Sequence, residues 1–272
     1  SKLEEIAEYE SILGDPTNLM NVIRDELTQI VSDFGDPRKT QIVESQHDFT
    51  LEDLIAEEDR VVTISHGGYA KTQPLDDYQA QGRGGVGKSA TSVKDEDFME
   101  HLLVASTHST ILCFTNKGKV YWLKVYQIPV AGRNARGRPV INLLPLEDGE
   151  RINSILPVDN YSEEHYVVMA TANGTIKKTL LTHYSKPRKV GLRAVELVDD
   201  DTLVGTAVVD GTKDIMLFSS EGKAVRFHEK DVRAMGRVSK GVRGMRLPPG
   251  HRVISLVIPE PDGFLFTVSK NG

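Results

Sequence analysis

The sequence predicts a mainly β, propeller-like array of units about 50 residues long, preceded by an α-helical segment. Three observations carry this. A glycine hairpin turn recurs at a near-constant interval, a basic glycine element follows each turn, and a heptad-spaced apolar seam is confined to the first 35 residues. A period near 50 residues with several short strands per unit marks a blade array, because one small sheet cannot bury both faces without neighbours.

Residues 61–71, 111–121, 167–177 and 215–225 each run as a strand, a glycine-containing turn and a second strand with basic residues. A fifth copy begins at Phe264 and reaches Asn271-Gly272. The turn glycines Gly68, Gly118, Gly174, Gly222 and Gly272 stand 50, 56, 48 and 50 residues apart. Glycine belongs there because tight hairpins need a positive φ that other residues adopt only with strain. The units are expected near 60–110, 111–165, 166–213 and 214–263, with a fifth starting at 264. An incomplete array exposes an edge strand, so the intact protein is expected to continue beyond it.

The helical segment comes before the array. Leu3, Ile6 and Leu13 share one stripe, and Gly14 is expected to stop the first helix. Asp15-Pro16 restarts the chain, with Asp as N-cap and Pro at the first helical position. Met20, Ile23, Leu27, Ile30 and Phe34 then follow spacings of 3, 4, 3 and 4. This seam fits a coiled-coil partner or a globular body, and residues 1–35 read as the end of a helical arm. Residues 36–59 read as an acidic linker, leaving 60–272 for the partial β array.

Net charge is -6, but it is divided unevenly. Residues 1–59 carry 4 Lys and Arg against 16 Asp and Glu, whereas 60–272 carry the remaining 29 against 23. The balances of -12 and +6 suggest that the β array could meet an anion. A single cysteine, Cys113, excludes an internal disulfide and reads as a core residue. No apolar run approaches the roughly 20 residues of a membrane helix, and no leader pattern opens the chain, so a cytoplasmic protein is expected. The eight histidines show no metal spacing, and His66 reads as a turn residue. Asp199-Asp200-Asp201 and Glu57-Glu58-Asp59 read as solvated loop charge, and Tyr121 and Trp122 as packing between units. No nucleophile-base arrangement stands out, so no catalytic residue and no metal is assigned.

Gly82-Arg83-Gly84-Gly85-Val86-Gly87-Lys88-Ser89 matches a nucleotide phosphate loop letter for letter. That loop works between a buried strand and a helix whose terminal amides hold the phosphates. Residues 75–81 make no apolar strand, and 90–94 make a poor helix start. A cationic, glycine-rich loop lying against a polyanion fits better, because equivalent elements recur at 136–138, 189–193 and 240–244. In a ring, such positions share one circumference. The resulting track is Arg83, Lys88, Arg133, Arg136, Arg138, Lys186, Arg188, Lys189, Arg193, Arg237, Lys240 and Arg243. It fits a bent duplex held through its phosphates, without base readout.

The residues also carry a family resemblance. Gln81-Gly82-Arg83-Gly84-Gly85-Val86-Gly87 resembles the seven-residue gyrase-A box of the bacterial DNA gyrase A-subunit family. Residues 152–158, 169–175 and 232–236 resemble the same C-terminal domain, and 19–27 resembles the last coiled-coil helix of the breakage-reunion core. Gly82 and Val86 depart from the box pattern at usually basic positions, which implies weaker phosphate contact there. The resemblance implies a six-bladed β-pinwheel, a propeller relative with strands exchanged between blades. It also implies wrapping of double-stranded DNA around a basic rim, so that ATP-driven strand passage introduces negative supercoils. The box would fasten the first blade to the last. The implied partners are the gyrase B subunit, together with a second gyrase A chain, in an A2B2 assembly in a nucleoid-associated cytoplasmic setting. No cofactor is implied within this chain, since ATP and Mg would be bound elsewhere in the holoenzyme. A topoisomerase IV A-type domain, a nucleotide enzyme and a protein-interaction propeller are the competing readings.

Overall fold

The computed structural model describes residues 1–36, 38–40, 50–78 and 97–268. Contacts divide the chain into two units, Ser1–Phe49 and Thr50–Gly272. In the first, helix α1 (Lys2–Gly14) is followed by α2 (Pro16–Phe34). Between them Asp15 is extended, with φ -128, and its carboxylate accepts the Thr17 amide at 2.8 Å. The Asp-Pro pair thus caps α2 as its chemistry requires. Gly14 closes α1 as its last helical residue, and the break itself is made by the extended backbone of Asp15. Within this unit the seam of α2 is exposed, from 40% at Ile23 to 81% at Phe34.

In the second unit, 15 strands form four sheets among the described residues. The first hairpin is β1 (Asp59–Ser65) and β2 (Tyr69–Pro74), followed by β3 (Met99–Ser106). The second repeat holds β4 (Thr110–Thr115), β5 (Lys119–Lys124), the two-residue β6 (Arg138–Pro139) and β7 (Ile152–Val158). The third holds β8 (Tyr166–Thr171), β9 (Thr175–Leu180), the short β10 (Leu192–Arg193) and β11 (Leu203–Val209). The fourth holds β12 (Asp214–Ser219), β13 (Ala224–His228), the short β14 (Val242–Arg243) and β15 (Val253–Val257). Residues 264–268, read from sequence as the start of a fifth unit, carry no strand.

Each short strand leaves its own repeat. β6 pairs with β2, β10 with β5, and β14 with β9, always on the sheet of the preceding hairpin. The sheet orders are β3-β1-β2-β6, β7-β4-β5-β10, β11-β8-β9-β14 and β15-β12-β13. The second hairpin strand would otherwise end its sheet with open amides and carbonyls, and the incoming strand satisfies them. This is the strand exchange of a pinwheel.

The sheets stack through alternating side chains. Along β4, Ile111 and Cys113 face the first sheet's Val62 and Ile64, while Leu112 and Phe114 face Val167 and Met169 of the third. Burial on both faces explains why 111–114 is continuously apolar. It also pushes the Cys113 thiol up to about 12. Val168, Ala170 and Ile176 pack in turn on Ile215 and Leu217.

The third long strands converge. Ser154 on β7 lies 2.8 Å from Thr206 on β11, Oγ to Oγ1, and Asn153 Nδ2 donates to Leu203 O at 2.6 Å. Gly205 on β11 lies against Leu256 on β15. The exchanged strands occupy the opposite edge of the first three sheets, so they line the outer circumference. Residues 50–58, within the stretch read as linker, join this unit. Thr107 binds the Glu58 carbonyl through its amide (2.9 Å) and the Ala56 carbonyl through its hydroxyl (2.8 Å).

Two glycines separate backbone strain from docking. Gly149 has φ +67 with open space around it, whereas Gly137 has φ +88 and lies where a Cβ would overlap the Ala70 carbonyl. Gly149→Ala is expected to cost about 1 kcal/mol through left-handed strain alone. Gly137→Ala is expected to cost on the order of 3 kcal/mol, since β6 must also lift from β2. Denaturant unfolding of the two variants measures the difference.

Candidate nucleic-acid interface

The outer edge is built from the short strands and the loops that lead into them. In register, Arg138, Leu192 and Val242 pair with Ala70, Val120 and Ile176. Pro139, Arg193 and Arg243 pair one residue further along. Arg193 and Arg243 therefore hold equivalent, exposed places, while Leu192 and Val242 pack on the cores. Arg138 stands one residue out of step with them. Because side chains alternate along a strand, it belongs to the other face, although it too is exposed.

Two of the loops are copies of each other. Gly132-Arg133-Asn134-Ala135-Arg136-Gly137 and Gly236-Arg237-Val238-Ser239-Lys240-Gly241 each follow an isolated parallel bridge, Thr72 to Val130 and Lys178 to Ala234. Arg136 and Lys240 are equivalent and exposed, with the Arg136 guanidinium 6.0 Å from the centre of the Tyr69 ring. Arg133 and Arg237 are equivalent but half-buried. Arg133 donates to the Asp77 carbonyl and lies 5.9 Å over Tyr78, so it braces the loop as well as charging it. Lys186, Arg188 and Lys189 are exposed in a loop of different sequence. The gyrase-A box at 81–87, with Arg83, and Lys88 beyond it lie outside the described residues. So does the phosphate-loop match at 82–89.

Sequence reading missed the groups under these loops. Lys71 on β2 is 1% exposed, and its Nζ donates to the carbonyls of Gly132 (3.2 Å), Arg133 (3.0 Å) and Ala135 (3.0 Å). Lys177 on β9 is 0% exposed and donates to Ala194 O at 2.6 Å and to Arg237 O. Burial lowers the pKa of Lys71; burial and the Arg237 charge bring Lys177 down to about 8. The legible signal was their shared place, three residues after a hairpin glycine. In the second sheet that place holds Tyr121, whose hydroxyl donates to the buried Glu150 at 3.0 Å. Gly191 packs on its ring. Trp122 donates to Tyr184 O at 2.7 Å, tying the second and third repeats.

The edge is not uniformly positive. Glu196, Asp199 and Asp201 share a cleft of about 650 Å³ with Lys240, Arg243 and Arg246. Arg233 and Arg246 are further exposed cations that sequence reading left out. His66 is exposed in its turn, with Nδ1 3.1 Å from Glu100 and its ring stacked on Phe98. Among the described residues no cluster of three His, Cys, Asp or Glu could hold a metal, and no helix is long and apolar enough to cross a membrane.

Four stacked sheets that lend strands to one another, with basic loops along the outer edge, define a strand-exchanged β-propeller module. The family model described as DNA gyrase C-terminal domain, beta-propeller, matches residues 59–106, 109–159, 165–210 and 213–260. The chain belongs to that family. The DNA gyrase A protein of Salmonella typhimurium is 56% identical over 259 residues, covering 95% of this chain and 30% of that protein. The Haemophilus influenzae counterpart is 50% identical over 298 residues, covering 99% of this chain and 34% of that protein. The chain thus spans about a third of the length of these relatives. A DNA topoisomerase IV C-terminal domain superposes with a TM-score of 0.64 at 29% identity, over 76% of this chain and 62% of that one. A DNA gyrase A C-terminal domain gives 0.60 at 26% identity, over 74% and 65%.

The low proton affinity of Lys177 has a measurable sign. Between pH about 8 and its ordinary 10.5, the unfolded chain holds this proton and the folded chain does not, so folding stability from this group rises with pH. The gain is expected to reach at most about 3 kcal/mol. Lys177→Met should lack that rise, read by comparing unfolding free energies of the two proteins at pH 7.5 and about 10.

Proposed function

We propose that this chain wraps double-stranded DNA around its outer basic edge, as the C-terminal part of a gyrase A protein. The observation that carries the reading is the recurrence of exposed cations at equivalent outer positions, Arg193 with Arg243 and Arg136 with Lys240. A periodic positive edge binds a duplex through phosphates and is indifferent to base sequence. Bending a duplex of 20–30 base pairs costs of order 1–6 kcal/mol, so several such contacts must act together. The similarity to gyrase A proteins at 56% and 50% identity supports gyrase over topoisomerase IV.

In the holoenzyme, the wrap presents a neighbouring segment for passage through the enzyme-linked break, and ATP-driven passage then introduces negative supercoils. That assembly pairs two gyrase A chains with two gyrase B chains in the bacterial cytoplasm, at the nucleoid. ATP and magnesium belong to its other parts, and this chain contributes DNA geometry with no catalytic residue of its own. The exposed rim cations carry the phosphate contacts, with Arg133 serving partly as a loop brace.

The test is ligation of nicked circular plasmid in the presence of the chain. A shift to positive linking number that fades steeply with salt is expected, and absence of binding at low salt would sink the reading. The double variant Arg193→Glu, Arg243→Glu should lower the slope of log K against log salt by roughly 2, about 0.9 for each lost phosphate.

A further inference from the structure

We propose that Lys71 and Lys177 are positioning residues for duplex binding, buried ammonium groups that hold the outer basic loops in their phosphate-receptive shape. The inference rests on the wrapping function proposed above and adds the device that shapes the binding edge.

A buried charge is tolerated only when its hydrogen-bonding capacity is used. Among the described residues, neither ammonium has a carboxylate partner. Lys71 instead spends its three donors on three carbonyls of one loop, the full capacity of a lysine. Lys177 reaches two outer elements at once. Its Arg237 bond lies in the loop before β14, and its Ala194 bond lies directly after Arg193 at the end of β10. One buried ammonium therefore ties neighbouring stretches of the rim, each carrying an arginine. Main-chain carbonyls turned towards the sheet would be left unsatisfied without the lysine, and the loop would have to open to water.

The repeats themselves supply a control. The place three residues after the hairpin glycine is Lys71, Tyr121, Lys177 and Val225 in the four sheets. Lysine stands there in the two sheets that receive a Gly-Arg loop, ahead of Gly137 and Gly241. The sheet with Tyr121 receives the differently built 184–190 loop, and no short strand pairs with the Val225 sheet among the described residues. Lysine and loop type thus occur together. The lysine therefore goes with the loop it supports and not with the hairpin position as such.

The experiment compares the whole chain with Lys71→Met, Lys177→Met and a core truncation on β8, Val168→Ala. Three measurements are made on each: thermal unfolding, amide hydrogen exchange, and affinity for a linear duplex of mixed sequence across a salt series. The ammonium groups are buried, so they touch no phosphate themselves. A lowered salt slope that comes together with faster exchange in the loop therefore reports the loops. Each Lys→Met variant should exchange faster at 132–137 or 236–241 and bind roughly tenfold more weakly, with the salt slope lowered by about 1. Val168→Ala should lower the unfolding temperature and leave the slope unchanged. Should Lys71→Met fail to fold, Lys71→Gln, which keeps two donors, should show the same changes in attenuated form. Unchanged exchange in the loops would overturn the positioning role whether or not DNA binds. Faster exchange with an unchanged salt slope would overturn its connection to the duplex. A wild-type chain that binds no duplex, while its variants still loosen the loops, would instead remove the wrapping function.

Discussion

The pairing of a two-residue strand with the sheet of the preceding repeat is the interaction on which the rest of this structure depends. A hairpin with one flanking strand leaves β2, β5 or β9 as an open edge, and an open edge invites uncontrolled pairing. Covering it with β6, β10 or β14 joins consecutive repeats by main-chain hydrogen bonds as well as by apolar contact. The positive-φ glycines just before these strands, Gly137, Gly191 and Gly241, let the chain turn into the edge where a side chain would collide with the sheet or with Tyr121.

The exchange also decides where charge can go. The long third strands converge at the inner side, so the covering strands and their loops lie outermost, where cations are solvated and reachable. Their bases are a different environment. Lys71 and Lys177 are buried beneath the loops and donate to their carbonyls, with lowered proton affinity as the physical mark of that burial. One structural element thus closes a sheet, carries the surface cations and rests on a buried one.

Much of this was legible in the residues. The spacing of Gly68, Gly118, Gly174 and Gly222 marked the hairpins, because a left-handed turn has few chemical solutions. Asp15-Pro16 marked the start of α2 for a similar reason. The basic glycine elements were legible as repeats, but the short strands inside them were not. Two residues are too few to show a period, and their partners lie about 70 residues earlier in the chain (Arg138 on Ala70, Arg243 on Thr175). The opposite face of Arg138 and the bracing role of Arg133 follow from register and from Tyr78, neither of which spacing reveals. The gyrase-A box was legible as a resemblance and lies outside the described residues.

By itself the sequence determined the repeat length, the turn positions, the β class and the basic character of one element per repeat. Each depends on local backbone chemistry or composition. Only the tertiary structure decided which edge each short strand joins, which cations stand on the outer face, and which lysines are buried beneath them. Those outcomes depend on pairing between distant segments, where a shift of one residue exchanges inside for outside.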